Sequence, residues 1–222
     1  KYGGNFNGTL ANFSISGATG SLSNDASGKV IYLVIASSIR NPTSIVWVGN
    51  ATVNDWDTVN RTNWSNTGVL DYFVSGDQVR FDATGAAHPD VNLVGNNAPA
   101  TTTVDAVGNY TFAGGGAISG TGSLTKTNSG TLTITATNSY TGPTILGGGV
   151  LEATTLAIAG SPSSLGAAPA DPNNLVFHGG TLRYLGETVA TDRPATLNAG
   201  AIVEVASNET SLTLNGALTG AG

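Results

Sequence analysis

The sequence has 222 residues, only 10% of them charged, a formal net charge of −6 and no cysteine. Its eight Lys and Arg stand singly, so no basic patch is present for a nucleic-acid backbone, which needs clustered cations to displace counterions. Thiolate catalysis, cysteine–zinc sites and iron–sulfur clusters are excluded, and no cofactor, metal or nucleic acid is expected.

What remains is a β composition. Glycine is abundant at 31 residues, and Asn, Ser and Thr supply most of the polar positions. Four Glu and three Lys are too few to solvate helix surfaces, whereas β-branched Thr suits a pleated sheet. The longest apolar run, 30–36, has strand length and falls short of the ~20 residues of a spanning helix, so no membrane span is expected. The absence of Met, position 1 included, is read as a chain that starts inside a longer product.

In chain order, residues 10–15 alternate loosely and predict a strand. A turn signal over 24–28 leads into Val30, Ile31, Tyr32, Leu33, Val34 and Ile35, an apolar run that predicts a strand buried on both faces. All three tryptophans, Trp47, Trp56 and Trp64, follow within a short stretch, and 76–81 reads as a turn and then a strand. From about Val91 short strands recur between Gly and Asn turns, predicted over 106–112, 123–127, 130–137, 144–153, 175–184, 197–205 and 212–218. Gly-Gly-x-Leu occurs at 148–151 and again at 179–182, with weaker echoes at 198–202 and 215–218. Such spacing is that of solenoid coils, each stacked on the last. Residues 116–122 also match 216–222, which suggests a second copy of a longer repeat.

The stretch 116–151 reads GAISGTGSLTKTNSGTLTITATNSYTGPTILGGGVL. Its elements are Gly120-x-Gly122-x-Leu124-x-Lys126, Gly130-Thr-Leu-Thr-Ile134, Asn138-x-Tyr140-Thr-Gly142-x-Thr144 and Gly148-Gly-x-Leu151. In that order they resemble the autotransporter-associated β-strand repeat, also called the passenger-associated transport repeat. Two departures are that Asn128-Ser129 replaces a usual Gly-x and Pro143 replaces a common Gly. The tryptophan section resembles what often precedes this repeat in large surface proteins of environmental bacteria. The resemblance implies a right-handed parallel β-helix in an exported protein, serving as a passenger scaffold that carries adhesive regions. It brings no catalytic residues. The residues themselves agree: Leu132, Ile134 and Ala136 alternate with Thr131, Thr133 and Thr135, so one face buries aliphatics and the other presents hydroxyls.

Catalytic constellations are weak. No Gly-x-Ser-x-Gly elbow occurs, and the two histidines, His88 and His178, sit in a turn-like and a strand-like context. Polysaccharide cleavage would need paired carboxylates, for which Asp55, Asp57, Asp77 and Asp82 are the candidates, yet Asp in such settings mostly bonds its own turn. Calcium by Asn54, Asp55, Asp57 and Asn60 fails on loop spacing, because position 59 is Val. Trp47, Trp56 and Trp64 either stack on glycans or form a small core. Asn-x-Ser/Thr triplets at Asn7, Asn12, Asn50, Asn60, Asn63, Asn109 and Asn208 are those expected of an Asn- and Thr-rich chain.

The expectation is an all-β chain: a β-rich leading region with the Trp cluster, 1–92, and a parallel β-helix, 93–222. The expected function is an extracellular structural or adhesive segment of a large bacterial surface protein, and not an enzyme. It would continue into further repeats or self-associate, with the run from Val30 to Ile35 as a candidate assembly strand. A polysaccharide-binding or polysaccharide-degrading surface protein is the alternative.

Overall fold

The computed structural model describes residues 18–50, 52–198 and 200–221. The strand expected over 10–15 and the triplets at Asn7 and Asn12 lie outside them. The chain divides into two compact units, Lys1–Asn41 and Pro42–Gly222.

In the first unit, Ala18–Asp25 and Val30–Ser38 pair antiparallel, from Leu22 opposite Leu33 to Asp25 opposite Val30. Asp25 makes the turn: its Oδ1 accepts from the Ser27 hydroxyl at 2.6 Å, the Gly28 N–H at 2.9 Å and the Ser27 N–H at 3.1 Å. These bonds, the Ser27 hydroxyl foremost, hold its carboxyl below the usual carboxylate range. The expected apolar strand is therefore one arm of a hairpin. It is not buried on both faces, since Tyr32 is 51% exposed.

The second unit is a parallel β-solenoid. One ladder stacks Ser44–Trp47, Gln78–Phe81, Thr101–Asp105, Ser123–Thr127, Thr144–Leu146, Leu175–Phe177, Ala195–Leu197 and Leu218–Thr219. A second stacks Asp55–Trp56, Asp90–Leu93, Tyr110–Ala113, Thr131–Ile134, Val150–Ala153, Thr181–Tyr184 and Ile202–Val205. Shorter parallel pairs, Asn96–Asn97 with Ala117–Ile118 and Val189–Thr191 with Leu212–Leu214, make a third face. All-β composition and the expected parallel architecture are thus what the chain adopts.

Coil length follows from the register. Thr102 pairs with Leu124 (124 − 102 = 22 residues) and Leu124 with Thr144 (144 − 124 = 20). Two coils are longer: Ile45 to Val79 (79 − 45 = 34) and Thr144 to Leu175 (175 − 144 = 31). The first accommodates an antiparallel hairpin, Trp64–Asn66 with Val69–Asp71, which joins the first ladder beside Ser44–Trp47. The second accommodates the loop that buries Leu156 and Leu165.

Alternate residues of every coil point inward, so in-register neighbours form columns through the core. One column runs Phe81, Val104, Lys126, Leu146, Phe177, Leu197. Another runs Phe112, Ile134, Ala153, Tyr184, Val205. Each coil buries its apolar edge only against its neighbours, and this is what stabilises a solenoid.

Several strands expected as single runs are two strands with a corner between them. Thr144–Leu146 and Val150–Ala153 belong to different ladders, as do Leu175–Phe177 and Thr181–Tyr184. Gly149, at φ 62°, and Gly179, at φ 105°, make the corners. The Gly-Gly-x-Leu stretches at 148–151 and 179–182 and the echo at 198–202 do stack, since Val150 pairs with Thr181 and Thr181 with Ile202, whereas the echo at 215–218 leads into the first ladder. The longer echo does not mark a structural repeat. Ala117–Ile118 lies on the third face, whereas Leu218 continues the first ladder against Ala195. The strand expected over 106–112 begins later, at Tyr110, because Val107 (70% exposed) and Gly108 lie in a corner. Thr101–Asp105, which three consecutive Thr hid from an apolar-run reading, is the strand before it.

Candidate functional site

The repeat-like stretch buries three polar side chains, Lys126, Asn138 and Thr144. Lys126 occupies an inward position of the first ladder and is 1% exposed. Its Nζ donates to the carbonyls of Thr127 at 2.6 Å, Asn128 at 3.1 Å and Gly148 at 3.5 Å. An ammonium has three donors, and here three corner carbonyls of two successive coils receive them. Burial pushes its pKa down to about 8, against the opposing pull of the Asp105 carboxylate. Asn128, at φ 60°, holds the corner beside it. Asn is the side chain that best tolerates the left-handed region, which explains why it stands where Gly is usual.

Asn138 does the equivalent work at the third face. It is fully buried; its Oδ1 accepts from the Ile118 N–H at 2.8 Å and its Nδ2 donates to the Ser164 carbonyl at 3.2 Å. One amide thus ties the coil before to the coil after. Tyr140, also fully buried, hydrogen-bonds Thr144 Oγ1 at 2.8 Å, and burial raises its phenol pKa. Gly122 and Gly142 lie two residues before the ladder positions Leu124 and Thr144. A Cβ on Gly122 would stand 2.1 Å from the Pro99 carbonyl oxygen, and one on Gly142 2.4 Å from that of Gly122. Only glycine lets the coils approach so closely at this corner.

The three tryptophans are fully buried. Trp64 meets Trp47 at 5.0 Å and Trp56 at 5.3 Å between ring centroids, both edge to face. Phe81 lies among them, 4.7 Å from Phe112. These rings, with Phe73 and Phe81, fill the core of the long first coil. Trp47 Nε1 donates to the His88 carbonyl at 2.9 Å. None of the three indoles offers a face to solvent, so a sugar would reach them only after the core opened.

Three of the acidic candidates, Asp57, Asp77 and Asp82, hold turns. Asp77 is fully buried and accepts from the backbone N–H of Thr43 and Val74 at 2.8 and 2.7 Å. Asp57 accepts from the Arg61 N–H and the Asn60 amide, and Asp82 from the Thr84 N–H. Asp55 accepts from the Asn92 amide at 2.6 Å, and Asn54 Oδ1 from the Asn50 N–H. His178 Nδ1 pairs with the Asn198 amide on the surface. Asn63, one of the glycosylation triplets, is 1% exposed, and its amide donates to the carbonyls of Val53 and Asp55.

Two buried or ordered features escaped the sequence reading. Arg193, 7% exposed, donates to the carbonyls of Ala157, Ser161 and Gly166, which pins the loop of the second long coil onto the next coil. Burial lowers its pKa. On the outer face, Arg183 bridges Glu152 at 3.0 Å and Glu204 at 2.7 Å, its neighbours in register on either side. Nothing local in sequence pairs groups about twenty or thirty residues apart; only the coil register does. The run Val30, Ile31, Tyr32, Leu33, Val34, Ile35 lies in the other unit, hydrogen-bonded along one edge to Ala18–Asp25.

Residues 124–153 match the family described as Passenger-associated-transport-repeat. The chain is also 40% identical over 108 residues to the adhesin BmaC autotransporter of Brucella suis biovar 1 (strain 1330), a match covering 47% of this chain. The chain spans 3% of the length of that curated relative. No solved structure matches the chain. The stretch 124–153 crosses both ladders twice, and Lys126, Asn138 and Gly142 are the residues that let its coils stack. The chain thus carries the passenger-associated-transport repeat of autotransporter surface proteins at residues 124–153, built as successive turns of its parallel β-solenoid.

Proposed function

We propose that this chain is an exposed, non-catalytic stretch of an adhesive passenger at the bacterial surface, in which the solenoid is a stiff spacer. What supports this reading is one conjunction. A passenger repeat runs through the middle of an uninterrupted parallel solenoid, in a chain similar to an autotransporter adhesin. Parallel stacking is extended and rigid because each coil is hydrogen-bonded to the coils on both sides. Of the acidic side chains that hydrolysis would recruit, Asp57, Asp77 and Asp82 are engaged in turn-making bonds and Asp55 is bonded to Asn92 of the next coil, which favours scaffold over catalyst. In the producing bacterium, deleting 42–221 from the parent protein should sharply lower attachment while the remainder still reaches the surface. Unchanged attachment, or a 42–221 segment that protease cannot reach on intact cells, would overturn the reading.

The finer part of this reading concerns assembly. Val30 to Ile35 is the segment suited to pair with a second copy, through the strand edge that Ala18–Asp25 does not occupy. Removing 18–38 should then abolish self-association in analytical ultracentrifugation; association that persists would sink it.

A further inference from the structure

The first ladder carries an extra hairpin at its first coil. There the extra residues of the long coil form the hairpin of Trp64–Asn66 and Val69–Asp71, which extends the sheet past Ser44–Trp47. Its turn, Thr67 at φ 50° and Gly68 at φ 90°, borders an open groove of about 400 Å³. That lies within the roughly 300–1,000 Å³ of small-molecule sites. Two in-register rows make the floor: Ser44, Gln78, Thr101 and Val46, Arg80, Thr103. Ser65, paired with Val46, continues the second row, and Thr67 lies at its border.

The chemistry of this surface is specific. It is hydroxyl and amide, with one apolar side chain in the floor and one guanidinium. Arg80 is not an anion receptor, because Asp105 at 2.6 Å and Asp82 at 3.1 Å already compensate it and fix its plane. With a net charge of −6 behind it, the groove disfavours a polyanion. It is also a poor peptide site, because its floor is a sheet face. The backbone groups there are spent in the ladder, so no strand can be added. Rows of neutral donors and acceptors repeating every ~4.8 Å across the strands suit a ligand that presents hydroxyls at a comparable repeat.

We propose that this groove binds a neutral oligosaccharide lying across the strands, held by the Ser44–Gln78–Thr101 and Arg80–Thr103 rows. The site rests on the surface-segment reading only for where such sugars would be met; attachment by another region of the parent would leave that reading standing if the groove failed. The test is a backbone amide NMR titration of the chain with maltohexaose, cellohexaose and N-acetylchitohexaose, with hexagalacturonate as the acidic comparison. At least one neutral hexasaccharide should shift signals confined to 44–46, 65–68, 78–80 and 101–103. Thr103→Trp, which fills the groove, should weaken that binding about tenfold or more, the equivalent of about 1.4 kcal/mol. Thr133→Trp, on the outer face of the second ladder, should not. If Thr103→Trp loses the native spectrum, Arg80→Ala, which removes the donor without adding bulk, is read instead. No shift with any neutral sugar at millimolar concentration, preference for hexagalacturonate, or indifference to Thr103→Trp would each overturn the proposal.

Discussion

Lys126 ties solenoid stability to pH with an unusual sign. The residue is 1% exposed, and burial lowers its pKa from 10.5 to about 8. Below pH 8 the group is charged in both the folded and the unfolded chain, and the folded state bears the full cost of burying it. Between about pH 8 and 10.5 the folded chain releases a proton that the unfolded chain keeps. The unfolded state then binds more protons, so stability rises with pH across that window. From pH 7 to 9.5 the gain integrates to about 2 kcal/mol. Above pH 10 the raised pKa values of Tyr110, about 12, and Tyr140 act the other way, because the unfolded phenols ionise first. Lys126→Met keeps the apolar stem and removes the titration. Urea denaturation of both proteins at pH 7, 8, 9 and 9.5 reads the difference directly, since other groups cancel between them. The wild-type curve should rise relative to the variant by about 2 kcal/mol. Parallel curves would mean that Lys126 is not buried against the three carbonyls, and the account of the corner would be wrong.

The remaining expectations are simpler. Gly122→Ala places a Cβ 2.1 Å from the Pro99 carbonyl oxygen and should destabilise by roughly 1–3 kcal/mol or more, as overpacking does. Gly108→Ala meets nothing within 4 Å and should be neutral or stabilise by about 0.4–1 kcal/mol, so of the two alanine variants only Gly122→Ala should lower the thermal melt. Asn138→Ala leaves the Ile118 N–H and the Ser164 carbonyl unpaired in the core and should cost about 2–4 kcal/mol in urea denaturation.

Much of this fold is legible in the sequence, for a physical reason. Alternation such as Leu132, Ile134, Ala136 against Thr131, Thr133, Thr135 determines which face of a strand is buried, whatever lies beside it. Glycine spacing marks the corners, because a left-handed turn or a close backbone approach excludes other residues locally. The solenoid and its repeat follow from those two patterns. Tertiary structure alone decided the rest. Apolar residues stand on both sides of each Gly-Gly corner, so 144–153 and 175–184 read as single strands until the two ladders separate them, the inward positions passing from Leu146 to Leu151 and from Phe177 to Leu182. The charge of Lys126 conceals an inward position, and its acceptors are carbonyls, which carry no residue identity. Arg193 and the Arg183 bridges depend on coil register, which for Arg193 and for Glu152 runs across the inserted loop of the second long coil. The tryptophans show how the two combine: their clustering is written in the sequence, but their complete burial depends on a coil long enough to close around them.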